Sequence, residues 1–231
     1  MHNPTRVDHP IVFVITHWIN LLAMFFLALS GFYIHFPFVS GIMGLARGTH
    51  FFWMFVLLIN MFVRIVLAFF VKDGVTMDGE VATDWHNFWF QKVNRHQLWP
   101  TVKYYLFFKK EAPISAKYGV LQKIAYVATI PMILLAAWTG FSIWGPTMNW
   151  PFFVASRELV SNWFGTAGGA DPMNMRILHY YTMWLILIFT AIHAYLANIY
   201  NFNPSKMIFA WKEVGDAHGA APAARAGEEA A

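Results

Sequence analysis

The chain has 231 residues, of which 58% are hydrophobic and only 12% charged, and its mean hydropathy is +0.46. This composition is that of a membrane protein rather than a soluble domain. The absence of cysteine excludes disulfides, thiolate-ligated iron–sulfur clusters and covalent c-type haem attachment, so any haem would be bound non-covalently.

Four apolar segments are long enough to cross a bilayer, for which ~20 residues suffice. They cover residues 11–36, 51–71, 120–144 and 174–200. We therefore predict an all-α membrane protein, a bundle of four transmembrane helices in one domain over residues 1–211. The first apolar run is longer than the core of a signal peptide and is expected to be a retained span. Residues 212–231, rich in alanine and glycine, are expected to form a disordered tail.

The distribution of basic residues predicts the topology. The connection between the second and third segments holds seven lysines and arginines, whereas the other two connections hold only Arg47 and Arg157. By the positive-inside rule, the 72–119 connection and both termini are expected on the cytoplasmic side. The net charge of +4 and pI near 9.3 are thereby explained without nucleic acid as a partner.

The first segment contains His17 and, fourteen positions later, Gly31. At 3.6 residues per turn, fourteen residues return to within about 40° of the same face, roughly 21 Å along the axis. Gly31 would let a flat macrocycle approach the backbone, although Ser30-Gly31 could equally be a small-residue packing notch between helices. His35 lies on the same face at the outer end.

The second segment repeats the interval, with His50 at its outer boundary and Arg64 fourteen positions later. An arginine deep in a spanning helix needs an anion unless it snorkels to the interface. A haem propionate is the natural anionic partner.

The 72–119 connection is rich in aromatic and basic residues and is expected to be an amphipathic helix at the membrane interface. The third segment carries Thr139-Gly140-Phe141, which resembles Ser30-Gly31-Phe32 of the first segment. Both tripeptides lie near the outer ends of their helices, and we expect both helices to pass closely by a haem bound at that side. The 145–173 connection is expected to contain a short surface helix around 156–164.

The fourth segment contains His179 and His193, again fourteen positions apart. Intramembrane histidines usually face a bundle interior or a functional cavity, and imidazole is a common haem ligand. We predict two stacked haems. From the run of the helices, His17 pairs with His193 at the inner side, and His50 pairs with His179 at the outer side.

Several alternatives remain open. His35 could replace His50 as the outer ligand, contact a propionate, or be an interfacial histidine. The five remaining histidines are better interpreted as solvated, and membrane histidines can also hydrogen-bond across helices without any metal. The residues predicted to pack against a haem or bind its propionates are Gly31, Arg64, Gly140, Arg176 and His35.

These residues also carry a family resemblance. The chain is similar, over about residues 9–202, to the membrane cytochrome b subunits of respiratory nickel–iron hydrogenases, and more widely to formate dehydrogenase gamma subunits and thiosulfate reductase cytochrome b subunits. The resemblance rests on the order and spacing of several pieces, namely His17-Trp-Ile-Asn, Ser30-Gly31-Phe32, Thr49-His50-Phe51, Arg64-Ile65, the run YGVLQKIAY from Tyr118 to Tyr126, His179-Tyr-Tyr-Thr-Met-Trp and Ile192-His193-Ala-Tyr.

The resemblance implies a four-helix anchor with two haems b, whose iron ligands in this sequence would be His17, His50, His179 and His193. In the formate dehydrogenase branch, a Lys-Tyr-Asn motif followed by glutamine helps to form the quinone site. Here Lys117, Tyr118 and Gln122 match, but Gly119 stands at the asparagine position, which favours the hydrogenase branch. The residues predicted to form the quinone site are Asn20, Tyr118, Gly119, Gln122 and His193.

The expected function is electron transfer between a periplasm-facing partner, with iron–sulfur and catalytic subunits, and the quinone pool. The chain is then an electron-transfer subunit of an oxidoreductase complex, which allows a higher-order oligomer of that complex. The alternatives are a quinol-oxidising or quinone-reducing subunit of a formate dehydrogenase or thiosulfate reductase, a haem-free anchor or proton-relay transporter, and a stand-alone transmembrane ferric reductase.

Overall fold

The computed structural model describes residues 10–75, 81–88, 96–110, 120–165 and 169–199. The predicted tail, its boundary at residue 211, and Tyr118 and Gly119 lie outside these residues. Within them, four helices are long and apolar enough to span a membrane. They are α1 (Ile11–His35), α2 (Met43–Phe70), α5 (Val120–Ile143) and α7 (Pro172–Asn198).

The predicted fold class is confirmed: the chain is an all-α, multi-pass membrane protein. Large apolar side chains on the long helices are exposed, for instance Phe25, Phe62 and Leu185, as expected of helices that face lipid. Only α2 departs clearly from its predicted span, because it begins eight residues earlier, at Met43. Its first two turns contain Arg47 and two glycines, which lower the local hydropathy although they continue the helix.

The connection between α2 and α5 contains more than the predicted interfacial helix. Strand β1 (Lys72–Val75) pairs antiparallel with β2 (Val81–Thr83), and the short helices α3 (Asp84–Phe88) and α4 (Leu98–Tyr105) follow. The hairpin was not predicted, because two strands of four and three residues carry almost no alternating pattern. Trp99, Phe107 and Phe108 of this connection are exposed, and the position of the connection at the membrane interface stays a prediction.

The chain divides into two compact units, which are described separately. The first unit consists of the described parts of Met1–Ala23, Ile59–Val127 and Tyr195–Ala231, and the second of Met24–Leu58 and Ala128–Ala194. In the second unit the four long helices contact one another in a ring. The contacts are Phe26 with Trp53 (α1 and α2), Phe51 with Trp144 (α2 and α5), Thr139 with His179 (α5 and α7), and Phe32 with Trp184 (α1 and α7).

A buried arginine organises the connection between α5 and α7. Helix α6 (Pro151–Trp163) begins five residues before the predicted surface helix, because Pro151 at its first position favours a helix start. From α6 the Arg157 side chain, only 4% exposed, donates hydrogen bonds to the carbonyls of Ser142, Met148 and Ala170, at 2.7, 2.6 and 2.9 Å. One guanidinium thus joins the end of α5 to the residues that precede α7.

Candidate functional site

Two histidines from different helices face each other in the second unit. His50 lies in the second turn of α2 and His179 in the second turn of α7. Their ring centroids are 6.3 Å apart, and the ring planes make an angle of 70°. The structure thus brings together two residues that are far apart in sequence and that were predicted to form one ligand pair.

Helix α1 supports the His50 ring with a hydroxyl and a glycine. The Ser30 Oγ lies 3.0 Å from His50 Nδ1 and also bonds the carbonyl of Phe26 at 2.5 Å. A Cβ atom at Gly31 would come to 3.4 Å from His50 Cε1. The absence of a side chain at Gly31 therefore lets the imidazole lie directly against the α1 backbone.

Helix α5 supports the His179 ring in the same way. The Thr139 Oγ1 lies 2.8 Å from His179 Nδ1 and bonds the carbonyl of Leu135 at 2.8 Å. A Cβ atom at Gly140 would come to 3.3 Å from His179 Cε1. Ser30 and Thr139 were absent from the residues predicted for this site, and the one sequence signal for them was the similarity of the two hydroxyl-glycine-phenylalanine tripeptides.

The phenylalanine that ends each tripeptide extends the similarity to the ring contacts. Phe32 packs edge-to-face against Trp184 at a centroid distance of 5.5 Å, and Phe141 contacts Phe55 at 6.1 Å. Each aromatic partner lies five residues after a histidine of the facing pair. Helices α1 and α2 therefore match α5 and α7 position by position around the pair, an internal two-fold similarity.

We expect the glycine contacts to be required for the site. In Gly140→Leu, the added side chain would occupy the space of the His179 imidazole, so the purified protein should bind distinctly less cofactor at this site. The matched control is Gly44→Leu in α2, since no atom lies within 4 Å of a Cβ placed at Gly44. Equal cofactor content in the two variants would contradict the prediction, and pigment per polypeptide is the measurement.

His35 and Arg176 lie apart from the facing pair. The His35 ring stacks on Tyr180 with a centroid distance of 4.2 Å and an angle of 18°. A ring stacked in this way is held by its flat faces rather than by its nitrogens. Arg176 is exposed, one turn before His179. Propionate contacts from either residue stay predictions.

The residues of the predicted inner pair belong to different units. His17 lies in α1 in the first unit, whereas His193 lies in α7 in the second, with its ring stacked on Phe189 at 6.3 Å and 12°. The fourteen-residue interval from His179 to His193 runs along one uninterrupted helix. The pairing of His17 with His193 stays a prediction.

Arg64 has a protein partner that was not predicted. Its Nη2 bonds the Asp84 carboxylate at 2.7 Å, and the guanidinium carbon lies 3.9 Å from the centre of the Phe13 ring. Asp84 is fully buried. The other terminal nitrogen, Nη1, is buried without a hydrogen-bond partner among the described residues. A carboxylate thus partners Arg64 and offsets the free-energy cost of an arginine within a membrane-spanning helix. A contact between Nη1 and a haem propionate stays a prediction.

Two of the residues predicted for a quinone site are described in the first unit. The Asn20 Oδ1 accepts a hydrogen bond of 2.6 Å from Asn60 Nδ2, which also donates to the Thr16 carbonyl at 2.8 Å. Gln122 is exposed in the first turn of α5. Asn20 is therefore held by a polar network between α1 and α2.

The donor set of the facing pair fits a haem iron. A metal bond to an imidazole nitrogen is about 2.0 Å long, so two imidazoles on opposite sides of one ion have centroids on the order of 6 Å apart. The observed 6.3 Å agrees with that spacing. No group of three or more histidine, aspartate or glutamate side chains comes together within the described ranges. The pair therefore matches two axial ligands rather than the three or four protein ligands of a zinc site.

Comparison with known proteins agrees with this donor set. A family model described as prokaryotic cytochrome b561 matches residues 8–210. The chain belongs to the prokaryotic cytochrome b561 family. It is also 27% identical over 191 residues to proteins named "Probable Ni/Fe-hydrogenase 1 B-type cytochrome subunit" from Escherichia coli K12 and from Escherichia coli O157:H7. The match covers 79% of this chain and 78% of each relative.

As a member of the cytochrome b561 family, the chain is expected to hold b-type haem, which matches the absence of cysteine. The family membership and the four long helices confirm the predicted membrane cytochrome.

Proposed function

We propose that this chain is a dihaem cytochrome b that transfers electrons between a periplasm-facing, hydrogenase-like partner and the quinone pool. The observation that carries the proposal is the facing His50 and His179 pair, at a spacing that suits one metal ion. His50 and His179 would hold the haem with two imidazoles, and an iron bound by both would suit electron transfer and disfavour oxygen binding. Haem supplies the one-electron redox chemistry, and the protein sets its position and surroundings.

A second haem would be held by His17 and His193. The proposal rests on helix geometry, since His193 follows His179 by fourteen residues in the continuous helix α7. That interval places the two imidazoles on nearly the same face, roughly 21 Å apart along the axis. Arg64 would offer its unoccupied Nη1 to a propionate.

The quinone site would lie near the His17 and His193 pair. Asn20 follows His17 by three residues, hence on the same face of α1, and Gln122 opens α5. Tyr118, Gly119 and His193 complete the proposed site. An amide and an imidazole are suitable groups for hydrogen bonds to the carbonyls of a quinone.

The proposed partner and the direction of electron flow follow from the membrane topology and from the similarity to hydrogenase cytochrome subunits. The charge asymmetry of the connections supports cytoplasmic termini in an inner membrane, and the end of the bundle with His50 and His179 would then face outward. Electrons from iron–sulfur and catalytic subunits would enter there and leave to quinone at the inner side. The hydrogenase assignment is supported by the similarity to the two Escherichia coli proteins named as hydrogenase cytochrome subunits.

The function is tested by His193→Ala in the purified complex. We expect quinone reduction to fall to background, while the partner still reduces a soluble dye at the wild-type rate, because only the route through the membrane subunit is cut. His86→Ala is the matched control, since His86 is exposed in α3 and its Nδ1 bonds Thr83. Unchanged quinone reduction in His193→Ala would overturn the proposed route.

A further inference from the structure

We propose that Ser30 and Thr139 are positioning residues for the haem between His50 and His179. Each hydroxyl accepts the Nδ1–H of its histidine and so holds one tautomer, with the Nε2 lone pair available to the iron. The inference rests on the proposed function, because it assigns a role toward the haem. Ser30 and Thr139 are not among the proposed iron ligands, but their hydroxyls would lower the midpoint potential of the haem.

Counting protons assigns the tautomer of His50. The Ser30 hydroxyl has one proton, and the Phe26 carbonyl at 2.5 Å takes it, because a carbonyl can only accept. Toward His50 Nδ1, at 3.0 Å, the hydroxyl oxygen therefore acts as the acceptor. The contact between Ser30 and His50 therefore requires a proton on Nδ1, the nitrogen that faces α1.

The same count holds at His179. The single proton of the Thr139 hydroxyl is shared between the carbonyls of Leu135 at 2.8 Å and Ala136 at 3.0 Å. Its oxygen then accepts from His179 Nδ1 at 2.8 Å. Helices α1 and α5 differ in sequence, but each provides a hydroxyl oxygen that accepts the Nδ1–H of the neighbouring histidine.

The glycines determine which edge of each ring lies against the helix. The atoms nearest to a Cβ at Gly31 are Cε1 and Nδ1 of His50, at 3.4 and 3.7 Å. Those nearest to a Cβ at Gly140 are Cε1 and Nδ1 of His179, at 3.3 and 3.8 Å. In each ring the Nδ1 edge is therefore held against a backbone, and Nε2 lies on the remaining edge.

A neutral hydroxyl has a different effect from a carboxylate as the acceptor. Accepting Nδ1–H makes an imidazole a stronger donor to its metal, which favours ferric over ferrous iron. A hydroxyl whose own proton is already donated to a carbonyl increases the donor strength of the imidazole moderately, and it adds no charge to the apolar interior. Removing it should make the imidazole a weaker donor, and the midpoint potential of that haem should rise.

The redox experiment compares Ser30→Ala and Thr139→Val with variants that keep a hydroxyl, Ser30→Thr and Thr139→Ser. At a fixed potential, we expect the oxidised-to-reduced ratio of one haem to fall about three- to tenfold in the first two variants, tenfold being about 59 mV for one electron. The other haem should not change. The conservative variants should restore wild-type behaviour, and haem content should be measured throughout.

Matched controls come from two other buried hydroxyls that bond only a carbonyl one turn earlier. These are Ser142, which donates to the Trp138 carbonyl, and Thr182, which donates to the Leu178 carbonyl. Ser142→Ala and Thr182→Val should leave both haem potentials unchanged. Equal shifts in the controls and the test variants, or no shift in the test variants, would overturn the positioning role while leaving the proposed function standing.

A second readout does not depend on haem. Nitrogen-15 NMR of histidine-labelled protein distinguishes Nδ1–H from Nε2–H tautomers, and the two signals are assigned by their loss in His50→Ala and His179→Ala. We expect Nδ1–H at both positions in wild type, and a changed signal for His50 in Ser30→Ala. Nε2–H at either position would overturn the inference. Absence of haem from the wild-type protein would instead overturn the proposed function.

Discussion

Replacement of His50 by alanine should remove one of the two proposed b-type haems, whereas replacement of His35 should leave both. His50 faces His179 across 6.3 Å, so its loss would leave the proposed haem with only one of its two proposed protein ligands. The His35 ring is stacked on Tyr180, and its loss removes only an aromatic contact. The measurement is a reduced-minus-oxidised spectrum with a haem-to-polypeptide ratio on each purified protein.

His35→Ala is itself the matched control, because both histidines lie in the second unit and each substitution removes one imidazole. Quinone reduction in the intact complex should fall with the haem in His50→Ala and stay near wild type in His35→Ala. Loss of a haem in His35→Ala, with both retained in His50→Ala, would reassign the ligand. No haem in any of the proteins would leave the chain as an anchor without redox function.

Replacement of Arg157 by methionine should destabilise the second unit strongly. Three carbonyls, of Ser142, Met148 and Ala170, would lose a charged donor at once, and each unsatisfied buried group costs about 1–3 kcal/mol. We therefore expect a loss on the order of 3 kcal/mol or more in unfolding free energy. A lower midpoint of thermal unfolding in detergent is the measurement.

Haem retention should fall in the same variant. Ser142 lies three residues after Thr139, and Ala170 lies two residues before α7, which carries His179. The Arg157 guanidinium therefore joins the helix that contacts the His179 ring to the start of the helix that carries it. Arg157→Lys keeps the charge but cannot present the same planar set of donors, and it should be intermediate. The matched control is Arg47→Met, since Arg47 is exposed in α2 of the same unit. Equal unfolding midpoints for the Arg47 and Arg157 variants would contradict the prediction.

Most of the fold could be predicted from the lengths of the apolar segments alone. The ends of α1, α2 and α5 lie within one residue of prediction, because a run of apolar residues that spans a bilayer must satisfy its backbone as a helix. The start of α2 and the β1–β2 hairpin were missed. Both lie where hydropathy is mixed, and there the backbone conformation depends on neighbouring segments rather than on local composition.

For the candidate site, the sequence predicted the positions of residues within each helix but not most of the contacts between segments. The histidines were found because an ionisable group in an apolar span requires a reason, and the fourteen-residue interval follows from helix geometry. Sequence reasoning missed Asp84 as the partner of Arg64, since nothing in a mixed connection twenty residues away marks one carboxylate. It also missed the hydroxyls beside the two histidines, because serine and threonine in spans usually bond their own helix.

The sequence by itself determined four membrane-spanning helices, a charge asymmetry, and intramembrane histidines at a fixed interval. Only the tertiary structure decided that His50 rather than His35 faces His179, that Ser30 and Thr139 contact those rings, and that Arg157 joins α5 to α7. Spacing along a helix is set by its own hydrogen bonds. Contacts between helices depend on how each helix is rotated about its axis, and side-chain packing fixes that rotation only after the helices have assembled.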